Sequence, residues 1–294
     1  MRGLSQPGTT PHPLLGIALI VGACGLFALL DALIKLLAAR YSPVMLCWTR
    51  YLFHIFVMLL VFAPRHGASL LRTRRPVAQF ARGATLALSA LCFFTAVSLL
   101  PQAEATAILS VGPILVTAGA VLLLRERAPS GTSFALALSF TGVLLIVRPG
   151  GGMDGWGALL ALAAALFSAA YALLTRLLAS TDEPVATLFI GGLVALFCLS
   201  FTVPFFWAWP LDLGDLLLMV ATGAFGALGH LLLVRAYVAA SASTLAPFAY
   251  SHAAFSIVTG LIFFGTFPDT VSLIGMGLIL ATGVAMALRR RRSA

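Results

Sequence analysis

Charged residues are scarce in this chain of 294 residues, since 18 basic and 9 acidic residues make up only 9% of it. Soluble globular proteins carry about 25% charged residues. Hydrophobic residues, counting Ala, Val, Ile, Leu, Met, Phe, Trp, Tyr and Cys, reach 61%. This balance excludes a soluble enzyme, a nucleic-acid-binding module and a disordered chain, and it predicts an all-α integral membrane protein.

Cysteine is also scarce. The four cysteines, Cys24, Cys47, Cys92 and Cys198, fall within apolar stretches, without CxxC pairing or a histidine at metal-ligand spacing. We therefore expect no structural disulfide, no metal site and no cofactor. The sequence also lacks HExxH and GxSxG motifs, so we assign no catalytic residues and treat an intramembrane enzyme as a distant alternative.

Ten apolar runs are long enough to predict helices that cross a membrane, which takes about 20 residues. The connections between them are short and contain Pro, Gly or charge, which leaves no room for a soluble domain. We interpret the first run as a retained helix because no small-residue cleavage site follows it. The predicted spans are residues 14–38, 43–63, 76–99, 102–124, 131–147, 156–179, 185–209, 213–237, 243–266 and 270–288.

Arginine placement predicts the orientation, because cytoplasmic loops are enriched in Lys and Arg. With the N-terminus inside, the inner loops and tail hold most arginines, including those at 72–75 and 289–292, whereas the outer loops hold mainly Arg40 and Arg148. We expect a multi-pass protein of a bacterial-type cytoplasmic (inner) membrane with both termini in the cytoplasm. We interpret the C-terminal arginine run as an anchor against anionic lipid, and not as a nucleic-acid site.

The sequence repeats itself at an offset of 141 residues: TGVLLIVR at 141–148 aligns with TGVAMALR at 282–289, and Pro43 aligns with Pro184. Each copy holds five predicted spans. Because five is odd, the second copy crosses the membrane in the opposite sense. Two inverted five-helix repeats are typical of secondary transporters, which bind substrate near the midplane between the halves.

The stretch LPQAEATAILSVGPILVTAGAVLLLRER at 100–127, followed by TGVLLIVRPG at 141–150, resembles the EamA domains of the drug/metabolite transporter superfamily. Within and beside these stretches, the matching features are Ala105, Pro113 and Glu126. Arg50 in the second span also matches.

The resemblance covers nearly the whole chain, with one repeat at 14–148 and a second at 156–289. It implies ten helices, cytoplasmic termini and a central cavity. Known members of the family move amino acids, amino-acid-derived metallophores, riboflavin, S-adenosylmethionine, nucleotide precursors or drugs, so the family does not specify one cargo.

Two opposite charges, Asp31 and Arg50, are predicted at similar depth in the membrane, where each charge costs about 2.5–3.5 kcal/mol. At about 1.5 Å per residue, Asp31 lies ~7.5 Å and Arg50 ~4.5 Å outside the midpoints of their spans. We predict a gate in which Arg50 exchanges Asp31 for a substrate carboxylate; a permanent ion pair is the alternative. Lys35 and His54, each one turn away, are assigned to the same gating or coupling group.

Aromatic, hydroxyl and imidazole groups at similar depth predict a mixed cavity for a small amphipathic solute. Because a histidine side chain ordinarily titrates near neutral pH, those at 230 and 252 are candidates for proton coupling, with packing as the alternative. We expect Arg82 to snorkel to the cytoplasmic side and Glu104 to cap its helix. The predicted substrate-binding residues are Trp48, Arg50, Ser110, Tyr171, His230, Tyr250 and His252.

These features favour a secondary transporter that exports a small, amphipathic, carboxylate-bearing metabolite by alternating access. An amino acid, or an amino-acid-derived compound such as an opine-type metallophore, would fit. The alternative is an uptake carrier for riboflavin or S-adenosylmethionine, and a purely structural protein is a further one. The expected partners are a small-molecule substrate, protons as a candidate coupling ion, and membrane lipid, with no nucleic acid; the sequence specifies no oligomeric state.

Overall fold

The computed structural model describes residues 13–124, 131–148, 154–178, 181–240 and 242–293, and every regular element in these ranges is a helix. Two short 3-10 helices span Gly67–Leu71 and Val203–Phe206. Glu126, part of the family resemblance, lies outside the described residues. The α-helices are α1 (Pro13–Leu37), α2 (Pro43–His66), α3 (Pro76–Leu99), α4 (Gln102–Leu109), α5 (Gly112–Leu124), α6 (Thr132–Val147), α7 (Gly155–Leu178), α8 (Pro184–Ser200), α9 (Leu213–Ala239), α10 (Ala242–Ala249), α11 (Ser251–Phe264) and α12 (Thr270–Ser293).

Seven segments of the described chain are long and apolar enough to cross a membrane: Pro13–Leu37, Pro43–Leu71, Pro76–Leu99, Gln102–Leu122, Gly155–Leu178, Leu213–Ala239 and Pro247–Phe264. Three shorter apolar helices accompany them: Ser133–Val147, Pro184–Ser200 and Thr270–Met286. These helices agree with the membrane-protein fold predicted from composition.

A break divides the predicted span 102–124 into α4 and α5. Pro113 has no N–H to donate to the carbonyl of Leu109, and its ring displaces that carbonyl. Ser110 at the break turns its hydroxyl back to Thr106 O, at 2.8 Å. The segment remains one candidate crossing, but it is not the continuous helix that the sequence predicted.

Two other predicted spans also differ from the observed helices. A break at Tyr250 separates α10 from α11 within predicted span 243–266. The predicted span 185–209 is too long, because α8 ends at Ser200 and a 3-10 turn follows. Hydropathy alone could not detect this end, since the residues after it are also apolar.

The two halves of the chain, 13–148 and 154–293, interlock. α1 packs against α9 and α11, α3 packs against α7 and α8, and α6 packs against α12. In contrast, α1 and α2 have little contact although they are consecutive. Side chains on the first three helices therefore face the second half of the chain.

Backbone contact at two glycines joins α6 to α12. A Cβ on Gly142 would lie 2.7 Å from the carbonyl oxygen of Gly275, and a Cβ on Gly275 would lie 2.6 Å from that of Gly142. Small residues are what permit helix backbones to approach this closely in membranes.

We expect Gly142→Ala to destabilise the protein by about 1–3 kcal/mol, because the added methyl group forces the two helices apart. Gly277→Ala on α12 is the matched control, since a Cβ there meets nothing within 4 Å. Alanine also has the higher helix propensity. Thermal unfolding in detergent measures both variants, and equal destabilisation by the two would contradict this packing.

Carboxylates cap helices at the end of the bundle where α1, α3, α6, α8 and α11 finish, which we call the outer end. Asp154, Asp212 and Asp269 each accept a hydrogen bond from a backbone N–H three residues later, as N-caps do. Arg148, which follows α6, pairs with Asp269 and donates to the Ser272 hydroxyl. These contacts tie the end of α6 to the start of α12.

The pair between Arg148 and Asp269 should stabilise the fold equally throughout the neutral pH range. The hydrogen bond from Arg148 lowers the pKa of the Asp269 carboxyl from 3.8 to about 2. Stabilisation from a depressed pKa is present above the ordinary value and is lost as the pH falls from about 4 through about 2. The difference in unfolding temperature between wild type and Asp269→Asn should therefore stay constant from about pH 5 to about pH 8. A difference that vanishes within that interval would refute the assignment.

Candidate functional site

Asp31 on α1 faces α11, where it meets His252. Its Oδ2 atom lies 3.0 Å from His252 Nε2, and the residue is 4% exposed. The predicted pair between Asp31 and Arg50 is absent from the described part of the chain, where His252 is the ion-pair partner of Asp31. Equal depth did not bring the two charges together because α1 packs against α9 and α11 and barely touches α2.

Lys35 lies one turn after Asp31, a spacing that suggests Asp31 as its partner, but its observed partners are different. Its ammonium group donates to the carbonyl oxygens of Val97, at 2.7 Å, and Leu100, at 2.5 Å. Carbonyls at a helix C-terminus have no partner within the helix. Lys35 therefore caps α3 in this structure.

Arg50 on α2 is a buried cation, and no carboxylate of the described residues pairs with it. It is 7% exposed, and its Cζ atom lies 4.9 Å from the ring centroid of Tyr51 and 5.4 Å from that of Phe94. Arg50 Nε has no hydrogen-bond partner, and the described residues supply no ion pair to the guanidinium. Because arginine stays charged when buried, a positive charge remains unneutralised here.

Room for that guanidinium comes from Gly226 on α9. A Cβ on Gly226 would lie 3.3 Å from Arg50 Nε and 3.4 Å from Leu30 Cδ1. Arg50 and Leu30, the residue before Asp31, therefore both lie beside Gly226. Arg50 does not pair with Asp31 itself.

Aromatic and imidazole rings connect these charges across the two halves. The ring centroids of His54 and His230 are 5.8 Å apart, while Phe27 lies 5.1 Å from His230 and 6.3 Å from His252. Five predicted site residues are thus brought together. We call this set the polar cluster: Asp31, Arg50, His54, His230 and His252.

Arg82 on α3 is a functional candidate that sequence reasoning missed. It is 2% exposed and does not snorkel. Its Nε donates to Thr175 Oγ1 at 2.7 Å, Nη1 to Thr187 O at 2.7 Å, and Nη2 to Tyr171 Oη at 2.6 Å. The sequence did hold one signal of this burial, namely the depth of Arg82 in its helix. Arg82 is six residues after Pro76, or about 9 Å into the helix, which is deep for a snorkelling side chain.

Adjacent glycines on α8 place Arg82 beside the polar cluster. A Cβ on Gly191 would lie 2.5 Å from Arg82 Nη1, and one on Gly192 would lie 3.4 Å from His54 Cδ2. Among the described residues, the centre of the bundle therefore holds two buried guanidinium groups and one aspartate.

Four predicted cavity residues lie outside the polar cluster: Tyr171, which accepts a hydrogen bond from Arg82, and Trp48, Ser110 and Tyr250. Trp48 Nε1 donates to Ser200 Oγ at 2.9 Å, near the outer end. The Ser110 hydroxyl bonds to its own helix, as isolated serines in helices often do. Tyr250 Oη is buried without a hydrogen-bond partner and packs against Gly283, where a Cβ would have no room.

The polar cluster has the chemistry to bind an anion and to hold a proton. Guanidinium groups bind carboxylates through paired N–H donors, and a histidine beside a carboxylate is a proton site. Within the described ranges, no group of three or more His, Cys, Asp or Glu side chains could hold a metal ion.

Comparison with known proteins gives relatives along most of the chain. The riboflavin transporter of Rhizobium johnstonii is 29% identical over 241 residues, covering 81% of this chain and 80% of that protein. The pseudopaline exporter CntI of Pseudomonas aeruginosa is 26% identical over 280 residues, covering 94% and 97%. The S-adenosylmethionine uptake transporter of Rickettsia bellii is 24% identical over 250 residues, or 85% of each chain.

A solved crystal structure shares the fold: at 22% identity, it matches with a TM-score of 0.63 over 94% of this chain and 99% of its own. The model of the EamA-like transporter family matches twice, at residues 14–148 and 155–288. Since these matches cover most of the sequence, and the transporter relatives extend along the same residues, the protein belongs to the EamA-like transporter family.

Proposed function

We propose that the protein is a secondary carrier of a bacterial cytoplasmic membrane, with ten spans in two inverted five-helix halves. The helix starts support the repeat. α2 and α8 begin at Pro43 and Pro184, which are 141 residues apart, and α4 and α10 begin at Gln102 and Ala242, within one residue of the same offset. The packing supports it too, because the first helix of each half packs against the third helix of the other half.

The position of the polar cluster supports alternating access. Asp31, Arg50 and His54 come from the first half, and His230 and His252 come from the second. Rocking one half against the other would expose these groups to one side of the membrane and then to the other.

The cargo that fits best is a small amphipathic metabolite with a carboxylate, exported from the cell. The observation that carries this proposal is the buried Arg50 guanidinium, which has no carboxylate partner in the described protein. The rings of Tyr51 and Phe94 beside it offer contact to an apolar part of the cargo. Export is supported by the relative named a pseudopaline exporter, which matches nearly the full chain.

Flux across proteoliposomes containing the purified full-length chain tests this cargo. The panel is a set of labelled amino acids and opine-type compounds, together with riboflavin and S-adenosylmethionine. We expect saturable flux of a carboxylate-bearing, amino-acid-like compound. No flux for any such compound, with flux of riboflavin instead, would contradict the proposal.

Uptake of riboflavin or S-adenosylmethionine is the second candidate. Aromatic and imidazole rings around Phe27 suit a flat ring system, and relatives carry both transporter names. Dependence on Arg50 separates riboflavin from the leading cargo class, because riboflavin has no carboxylate. Its flux should therefore survive Arg50→Gln.

Protons are the proposed coupling ion, with the pair of Asp31 and His252 as the proton site. We expect His252→Gln to remove most of the pH dependence of flux between about pH 6 and pH 8, where an imidazole titrates. His230→Gln is the comparison variant, because the described contacts of His230 are rings and not a carboxylate. An unchanged pH profile in His252→Gln would exclude this residue from coupling.

We also propose that both termini face the cytoplasm and that the protein is not an enzyme. The basic inner loops support this orientation, and the named transporter relatives support a carrier role. A reporter fused to the C-terminus that is active only in the cytoplasm tests the topology.

A further inference from the structure

A polar pocket lies at the outer end, apart from the polar cluster. Its volume is about 300 Å³. The walls are apolar where α3 gives way to α4, at Leu99, Leu100 and Pro101, and polar where Glu104 and Arg148 face it. Among the described residues, Asp154, Asp269 and Ser272 also contribute polar lining.

Glu104 is the buried carboxylate of this pocket. It is 6% exposed, and its Oε2 atom has no hydrogen-bond partner among the residues that the structure describes. Its place in the first turn of α4 gives it the stabilisation of a helix N-terminus, as the sequence predicted. That capping role does not supply a partner to Oε2.

The two cations that act on Glu104 already have other partners. Lys35 and Arg148 both act electrostatically on this carboxylate. The Lys35 ammonium donates to two carbonyls at the end of α3, and Arg148 pairs with Asp269. No ion pair to Glu104 exists in the described part of the chain.

The remaining charges of the pocket also favour a cation. Three carboxylates and one guanidinium line it, and Asp154 and Asp269 each direct one oxygen to a backbone N–H. A buried carboxylate oxygen without a donor is costly. A bound group with N–H donors and a positive charge would relieve that cost.

We propose that this outer pocket binds an organic ammonium group, whose positive charge and N–H donors face the Glu104 carboxylate while its alkyl part lies against Leu99, Leu100 and Pro101. The site is distinct from Arg50, and the proposal goes beyond the carrier function because it holds for any cargo. For a cargo that also carries an ammonium group, the pocket is a resting point on the outer side of the polar cluster.

The test uses the purified full-length chain in lipid nanodiscs. The probes are n-butylammonium, n-butyrate and uncharged butyramide, titrated by saturation-transfer NMR. We expect n-butylammonium to bind more tightly than the other two, and Glu104→Gln to weaken it by about tenfold or more, as expected for a charged hydrogen bond. Asp212→Asn is the matched control, since Asp212 is an exposed cap at the outer end that does not line the pocket.

Arg148→Gln gives a test of opposite sign that leaves Glu104 in place. Removing this cation should strengthen n-butylammonium binding by about threefold, because nearby like charge is repulsive. If Glu104→Gln fails to fold, this variant decides alone. The proposal is overturned by unchanged binding in a folded Glu104→Gln protein, by weaker binding in Arg148→Gln, or by n-butyrate binding as tightly as n-butylammonium.

Discussion

Replacing Arg50 by glutamine is expected to lower the flux of the carboxylate cargo by about 100-fold, which corresponds to about 2.7 kcal/mol of lost interaction. The reason is the state of Arg50 in the protein: it is buried against Tyr51 and Phe94, and it has no carboxylate partner among the described residues. Glutamine keeps some polarity and length but has no charge to offer a cargo carboxylate.

A second variant separates charge from geometry. Arg50→Lys keeps the positive charge but presents one ammonium point in place of two parallel donors. Its flux should fall by about tenfold, between wild type and Arg50→Gln.

The matched control is Arg40→Gln. Arg40 is a half-exposed arginine at the outer end that pairs with the buried Asp215, and Asp215 keeps a hydrogen bond from the Tyr41 hydroxyl when the arginine is replaced. Flux in Arg40→Gln should stay within about twofold of wild type. Wild-type flux of the same compound in a folded Arg50→Gln protein would contradict the assigned role of Arg50.

Replacing Arg82 by leucine is expected to destabilise the protein by about 3 kcal/mol or more and to abolish transport. The substitution removes three hydrogen bonds and leaves the Thr187 carbonyl and the Tyr171 hydroxyl without their donor in the interior. Because Arg82 joins α3 to α7 and α8, the effect should appear in folding as well as in flux.

Thermal unfolding followed with a thiol-reactive fluorophore measures this change, because Cys24 and Cys47 are buried until the helices separate. Arg65→Leu is the control, since Arg65 is exposed near the end of α2. Arg82→Lys should fall between the two, as one ammonium group cannot replace three diverging donors. If Arg82→Leu and Arg65→Leu unfold at the same temperature, the observed hydrogen bonds are not stabilising.

The membrane class was predictable because the apolar composition indicates a membrane protein. The family was predictable because the stretches at 100–127 and 141–150 resemble it. Hydropathy also placed the apolar segments well. It did not detect the divided helices, since breaks such as the one before Pro113 depend on backbone hydrogen bonding and not on apolar character.

The sequence predicted how deep the candidate site residues lie in the membrane, but it did not predict which residues they contact. Residue counting placed Asp31 and Arg50 at similar heights, yet gave no information on which face of α1 meets which helix. Consecutive helices need not pack together, and here α1 meets α9 and α11. His252 therefore takes the place beside Asp31 that the sequence assigned to Arg50.

Arg82 is a second residue whose contacts the sequence did not reveal. Its position near the start of α3 suggested an interfacial side chain, although its depth of about 9 Å allowed burial. The partners that hold it, Tyr171, Thr175 and Thr187, lie about one hundred residues later in the other half of the chain. No local pattern around Arg82 could have identified them.

In the proposed mechanism, Arg50 receives the carboxylate of the cargo. This role is measured by comparing flux of the best-transported acid of the panel with flux of its carboxamide, in wild type and in Arg50→Gln proteoliposomes. We expect wild type to prefer the acid by about 100-fold, and the preference to fall to within about threefold in Arg50→Gln. The same preference for the acid in both proteins would contradict this role.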